Sequence, residues 1–132
     1  MITRLTQRAD FLRAARAPYQ ARTGVVVQAR KRDEAEPADS GGIRLGFTAT
    51  RKVGNAVIRN RAKRRLREAA RLLIPAHGID GHDYVFIARA GTLDRPWQGL
   101  LDDVKAALIR LSRPQTKAPR PDPAQSPQDS AL

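Results

Sequence analysis

Residues 51–71, RKVGNAVIRNRAKRRLREAAR, carry nine basic side chains (Arg51, Lys52, Arg59, Arg61, Lys63, Arg64, Arg65, Arg67 and Arg71) against one acid, Glu68. Within this stretch Ile58, Ala62, Leu66, Ala69 and, just beyond it, Leu73 recur at spacings of four, four, three and four. Apolar residues at that period share one face of an α-helix. The stretch therefore predicts a helix over residues 57–73, following the break at Gly54-Asn55 and stopped by Pro75. The apolar stripe docks the helix on a sheet, and nearly everything else on it is positive. Arg59, Lys63 and Arg67 form a row with steps of about 6 Å along the axis. Arg64 and Arg71 lie on the back, while Arg61 and Arg65 flank the stripe. Like charges one turn apart destabilise an isolated helix by roughly 0.2–0.5 kcal/mol per pair. A helix built only for stability would carry more acids, so the excess points to a polyanion that neutralises it. Arginine predominates, and its planar fork grips phosphate bidentately and stacks on bases.

The rest of the chain agrees with a nucleic-acid partner. Its 132 residues suffice for one domain, and a 41% hydrophobic content supports a modest core. Twenty-five basic residues against 13 acidic ones give a net charge of +12, a field that attracts phosphate polymers and anionic surfaces. There is no cysteine, which excludes disulfides and thiolate metal sites and suits a reducing compartment. No apolar run approaches the ~20 residues that span a bilayer, and Met1 to Arg4 lead into no signal-peptide core. A soluble, cytoplasmic protein is expected. A basic amphipathic helix can also lie on an anionic membrane, but this stripe is Ala-rich and lacks a bulky aromatic wedge, so no membrane partner is expected.

Working outward, Thr6 is placed to cap a first helix over residues 7–16, with Phe11, Leu12 and Ala15 as its apolar stripe and Pro18 ending it. Residues 24–29, GVVVQA, are short and β-branched and predict a strand. Residues 33–42, DEAEPADSGG, predict an acidic hairpin loop. Residues 44–50 alternate as a half-buried strand does, with Leu45, Phe47 and Ala49 on one side. HGIDGH, residues 77–82, reads as a turn, and 83–89, DYVFIAR, as a central strand. Pro96 suits the first turn of a last helix, in which Trp97, Leu101, Val104, Leu108 and Leu111 form a core-facing stripe. From Ser112 onward there are five prolines, no aromatic residue and no apolar period, so residues 112–132 are expected to form a disordered Pro-rich tail. The order α-β-β-α-β-α predicts a single α+β domain over residues 1–111, with helices packed on a small sheet.

No catalytic or metal-ligating residue is assigned to this chain. Two-metal phosphodiester hydrolysis gathers carboxylates around ions ~3.5–4 Å apart. Asp102 and Asp103 are adjacent on a helix and point apart, and the acids of residues 33–39 sit in a turn-rich loop. His77, Asp80, His82 and Asp83 form a Gly-flanked turn, a simpler reading than a metal or acid–base site. Neither GxxxxGK[ST] nor GxGxxG occurs.

Charge does not choose between DNA and RNA, and no zinc-finger ligand set, helix-turn-helix pair or RRM aromatic motif is present. Residue order is more specific. Arg59-Asn60-Arg61, followed by Lys63-Arg64 and Arg67-Glu68 and preceded by Arg51-Lys52-Val53-Gly54-Asn55-Ala56-Val57, closely resembles the bacterial ribonuclease P protein component. An early helix with a Phe, the Arg44-Leu45-Gly46-Phe47-Thr48 strand, the 83–89 strand and a closing helix fall in that family's order, over about residues 4–111.

The resemblance implies a large catalytic RNA as partner. The two together remove the 5′ leader of precursor tRNA by hydrolysis, and the RNA holds the catalytic centre and, with the substrate, the Mg²⁺. No protein partner is required. It implies that Arg59, Asn60, Arg61, Lys63, Arg64 and Arg67 contact the catalytic RNA, with Arg51 and Lys52 on the loop beside them. Asn60 either touches RNA or orients the neighbouring arginines. Phe11, with Val25 and Val27, would line a leader cleft between the first helix and the sheet. There Phe11 either stacks on a base, worth about 1–3 kcal/mol, or is a plain core residue. Ala15 stands where relatives often carry a second aromatic, and the first strand has none, so the cleft is expected to be less aromatic. The family fold includes a left-handed β-α-β crossover, an exception to the right-handed rule. A structural ribosomal or general RNA-binding protein without a processing role is the alternative, since it shares charge and size.

Overall fold

The computed structural model describes residues 2–32 and 42–113. Along the chain run β1 (Ile2–Arg4), α1 (Arg8–Ala14), β2 (Tyr19–Ala21), β3 (Val25–Lys31), β4 (Ile43–Ala49), α2 (Ala56–His77), β5 (His82–Ala88), α3 (Gly91–Asp94) and α4 (Trp97–Ser112). The predicted α-β-β-α-β-α series is all present. The additions are β1, β2 and α3, together with a 3₁₀ turn at Arg51–Val53; each is only three or four residues long, too short to display a period.

The strands form one mixed sheet in the order β1-β4-β5-β3-β2. Central β5 pairs parallel with β4 and antiparallel with β3. The β4–α2–β5 segment is thus a parallel β-α-β unit, and it carries the basic helix across one face of the sheet. Paired residues share a face, so Val25, Val27, Ala29, Leu45, Phe47, Tyr84, Phe86 and Ala88 all face α2 and α4. Leu66, Ala69 and Ile74 of α2 and Leu100, Val104 and Leu108 of α4 close over them. Phe47 stacks on Phe86 at 5.3 Å between centroids. The opposite face carries the rows Val26–Ile87–Thr48, Gln28–Val85–Gly46 and Arg30–Asp83–Arg44. It is covered only in part, by the seven-residue α1.

Three helix predictions change. Pro75 does not stop α2, which continues to His77, with Gly78 N–H donating to the Ile74 carbonyl at 2.7 Å. A proline this close to a helix end removes one backbone bond, and residue 75 is exposed, leaving the freed carbonyl turn near water. In α1 the cap is Gln7 rather than Thr6, and Asp10 and Ala14 are buried while Leu12 is 55% exposed and Ala15 is exposed. Asp10 pairs with Arg44 at 3.5 Å and Phe11 and Ala14 pack on the sheet, which leaves Leu12 and Ala15 outward. In α4 the buried seam is Leu100, Val104, Ala107, Leu108 and Leu111, whereas Trp97 is 37% exposed and Pro96 sits at the cap. Residues 33–41 and 114–132, which include the predicted acidic loop and most of the predicted tail, lie outside the described residues; Ser112 closes α4.

Candidate nucleic-acid interface

The approach to α2 is fixed locally. Gly54 has φ +151°, and a Cβ there would stand 2.8 Å from Ile58 Cγ2, so only glycine fits. Asn55 Oδ1 then accepts the Ile58 N–H at 3.0 Å, a side-chain cap of the kind worth about 1 kcal/mol. From this cap α2 runs 22 residues, about 33 Å at 1.5 Å per residue. Ala62, Leu66, Ala69, Ala70 and Ile74 are its buried seam.

The nine cations of residues 51–71 separate into two groups. Arg71 donates to Glu68 at 3.1 and 2.5 Å, and this pairing holds the Glu68 carboxyl below its ordinary pKa and the Arg71 guanidinium above its own. Arg65 turns back onto the protein, donating to the carbonyls of Thr92, Leu93 and Arg95 at 2.6, 3.1 and 2.8 Å, with its guanidinium 5.6 Å from the Trp97 ring centroid. The other seven are Arg51, Lys52, Arg59, Arg61, Lys63, Arg64 and Arg67, and none of their side chains bonds or ion-pairs with a described residue. The Asn60 side chain is exposed and makes no hydrogen bond among the described residues, so no such bond links it to the neighbouring arginines.

On the opposite face of the sheet, Phe11 packs with Leu5, Ala14, Val85 and Ile87 and stays half-buried. Gly46 makes room for it: a Cβ there would fall 2.5 Å from the Phe11 ring. Val25 and Val27 do not join Phe11. Both are 0% exposed and lie in the core under α4, so they do not line a cleft on the α1 side. The β3 residues on Phe11's face are Val26 and Gln28, one position out of step, and a one-residue slip exchanges the two faces of a strand. Three consecutive valines carry no alternation from which to read the correct choice. Tyr19, paired with Gln28, adds an aromatic on this face that the sequence reading missed because β2 itself was missed.

At the end of the same face Asp83 is fully buried among arginines. Arg32 donates to it at 2.6 Å, Arg44 at 2.8 and 2.7 Å, and Arg30 at 3.3 Å. Arg32 also donates to the carbonyls of His82 and Gly42. Burial pushes the Asp83 carboxyl up, but the hydrogen bonds and charges of Arg44 and Arg32 together outweigh it and hold the group below the usual carboxylate range. A carboxylate so occupied is poorly disposed to bind a hard cation. Asp103 is likewise engaged, by Gly24 N–H at 3.0 Å and Arg95 at 2.9 and 3.1 Å, while Asp102 faces outward to Gln98. His82 Nδ1 lies 3.2 Å from the Asp80 carbonyl. Among the described residues no three metal-capable side chains converge.

An open cleft of about 810 Å³ lies where β4 and β5 end and the loop toward α2 begins. Arg22, Thr23, Arg89 and Gly91 are among the residues lining it, as are Thr50 and Lys52. Arg89 Nη1 donates to the Arg22 carbonyl at 2.8 Å. The cleft thus joins the sheet ends to Lys52 on the turn before α2.

A family model described as Ribonuclease P matches residues 2–112. The chain is 59% identical over 109 residues to the ribonuclease P protein component of Caulobacter vibrioides (strain NA1000 / CB15N), covering 83% of this chain and 70% of that one. It is 56% identical over 115 residues to that of Ruegeria pomeroyi, covering 86% and 90%. Among solved structures, the Thermotoga maritima RNase P protein superposes with a TM-score of 0.67 at 28% identity, covering 83% of this chain and 98% of that one. The Staphylococcus aureus protein gives 0.66 at 27% identity, covering 83% and 94%. No helix among the described residues is long and apolar enough to cross a membrane.

Proposed function

Because the chain belongs to the ribonuclease P protein family and is a subunit of an RNA-processing ribonuclease, we propose that it binds the catalytic RNA through Arg51, Lys52, Arg59, Asn60, Arg61, Lys63, Arg64 and Arg67. The observation that carries this reading is the set of seven cations with no partner among the described residues, all on α2 or the turn before it. A phosphate backbone supplies what they lack, and releases counterions as it does so. In this reading the RNA carries the chemistry and, with the substrate, the Mg²⁺.

The partly open sheet face takes the single-stranded 5′ leader of precursor tRNA. Phe11 and Tyr19 offer aromatic surface there, and Val26, Gln28 and Thr48 lie along the floor. The leader backbone continues into the strand-end cleft, toward Arg22, Lys52 and Arg89. Hydrolysis at the leader junction then frees the mature 5′ end. This division of labour works in the cytoplasm with no further protein.

Reconstitution tests the reading. Protein plus its cognate RNA should cleave precursor tRNA at low Mg²⁺, where the RNA alone is slow; no gain on adding protein would overturn it. Phe11→Ala should weaken precursor binding by about 1–3 kcal/mol and leave mature tRNA unaffected. A Phe11 variant that binds both tRNAs as wild type does, but unfolds more readily, would make Phe11 a core residue only.

A further inference from the structure

Arg65 lies in the middle of the basic run yet faces inward. Its three acceptors, the Thr92, Leu93 and Arg95 carbonyls, belong to the segment that includes α3 and leads into α4. Carbonyls at a helix end have no partner within the helix, and a cation there is favoured by the local dipole as well as by hydrogen bonding. All three carbonyls are reached by one guanidinium nitrogen, Nη1, whose two hydrogens they share, while the rest of the planar group lies over the Trp97 ring, a flat stacking surface that a lysine ammonium lacks. Trp97 packs beside the guanidinium and shields it.

The same segment is held from its other side. Arg89 N–H donates to Thr92 Oγ1 at 2.7 Å, and that hydroxyl donates to the Gly24 carbonyl at 2.7 Å. Gly24 N–H in turn donates to Asp103. At Gly91 the β2–β3 turn comes so close that a Cβ would sit 2.9 Å from the Thr23 carbonyl. One hydrogen-bonded chain therefore runs from α2, through Thr92, to the turn carrying Arg22 and Thr23. Its members Arg89 and Asp103, together with the adjoining Thr23 and Gly91, form a wall of the strand-end cleft.

We propose that Arg65 is a positioning residue which does not touch RNA: it fixes this wall of the strand-end cleft to the RNA-facing helix and so sets the fit of precursor tRNA. The inference rests on the assignment of that cleft to precursor. It places in one cationic stretch two kinds of arginine, those that meet phosphate and one that aligns the surface beside them.

The test uses full-length protein and its cognate RNA, with Arg65→Gln and Arg65→Lys compared with wild type below their unfolding temperatures. Both variants should keep the wild-type salt slope for binding the catalytic RNA, because no phosphate contact is lost. Both should lose roughly fivefold or more of the preference for precursor over mature tRNA, a coupling of ordinary size. The emission of Trp97, the only tryptophan, should shift in both as the planar guanidinium over its ring is lost. Thr92→Val, which loosens the wall without touching α2, should reproduce the loss of preference. It also decides the matter should Arg65→Gln not fold. The proposal is overturned if Arg65→Gln lowers the salt slope by the ~0.7–0.9 expected of one phosphate contact while Arg65→Lys restores it. It is also overturned if the folded variants keep full precursor preference. A wild-type protein with no precursor preference would instead sink the leader assignment on which the inference stands.

Discussion

Arg30, Arg32 and Arg44 crowd one buried carboxylate, whereas Arg59, Arg61, Arg64 and Arg67 stand on α2 and form no ion pair among the described residues. The side chains are the same and the surroundings opposite. Around Asp83 the arginines share one buried carboxylate inside the fold, so they serve as struts between β3, β4 and β5. On α2 the single acid, Glu68, is already held by Arg71, and the remaining charge is left to repel itself until a polyanion arrives. The lesson is that a cation's role follows from the nearest carboxylate, which position in the sequence does not disclose.

The comparison breaks most visibly at its buried end. Asp83→Asn should destabilise the protein by about 3–5 kcal/mol, because it removes the buried negative charge that Arg30, Arg32 and Arg44 share. Denaturant unfolding measures this; a loss under about 1 kcal/mol would mean that the cluster is not a strut. The same group predicts a pH dependence. Its folded pKa lies below its unfolded one, so its contribution is full above the ordinary carboxylate range and disappears as pH falls through the folded value. Thermal stability should therefore drop on acidification, and Asp83→Asn should flatten that part of the profile.

The exposed end responds to salt rather than to acid. If about six of the seven free cations meet phosphates, affinity for the catalytic RNA should follow a log–log salt slope of roughly −4 to −5. A slope near zero would mean that α2 does not face RNA. Arg61→Ala should make the slope shallower by about 0.7–0.9 and leave the unfolding midpoint unchanged, the reverse of the Asp83 pattern. The smallest effect belongs to Arg71→Ala. Its partner Glu68 is on the surface, and exposed pairs contribute little, so neither stability nor salt slope should change measurably.

Much of this was legible in the residues. The 3.6-residue period of α2 and the alternation of β4 located their buried faces, and the order around Arg59-Asn60-Arg61 pointed to the family. What failed did so for identifiable reasons. A run of valines has no period, so nothing local shows that Val25 and Val27 turn to the core rather than to the α1 side. Trp97 has the spacing of the core stripe, though its ring packs instead beside Arg65. Asp83 opens a predicted strand, but nothing beside it in the sequence shows its partners: the arginines that surround it come from two other strands and the segment after one of them.

The sequence by itself determined the cationic helix, its docking stripe and the order of the main elements, because those depend on neighbours within a turn or two of the same chain. Tertiary structure alone decided which cations are free. Arg65 meets carbonyls 27 to 30 positions away, Asp83 meets Arg44 across 39, and Gly24 meets Asp103 across 79. Such partners are chosen by strand register and helix docking, and a hydrogen bond between distant residues leaves no local pattern to read.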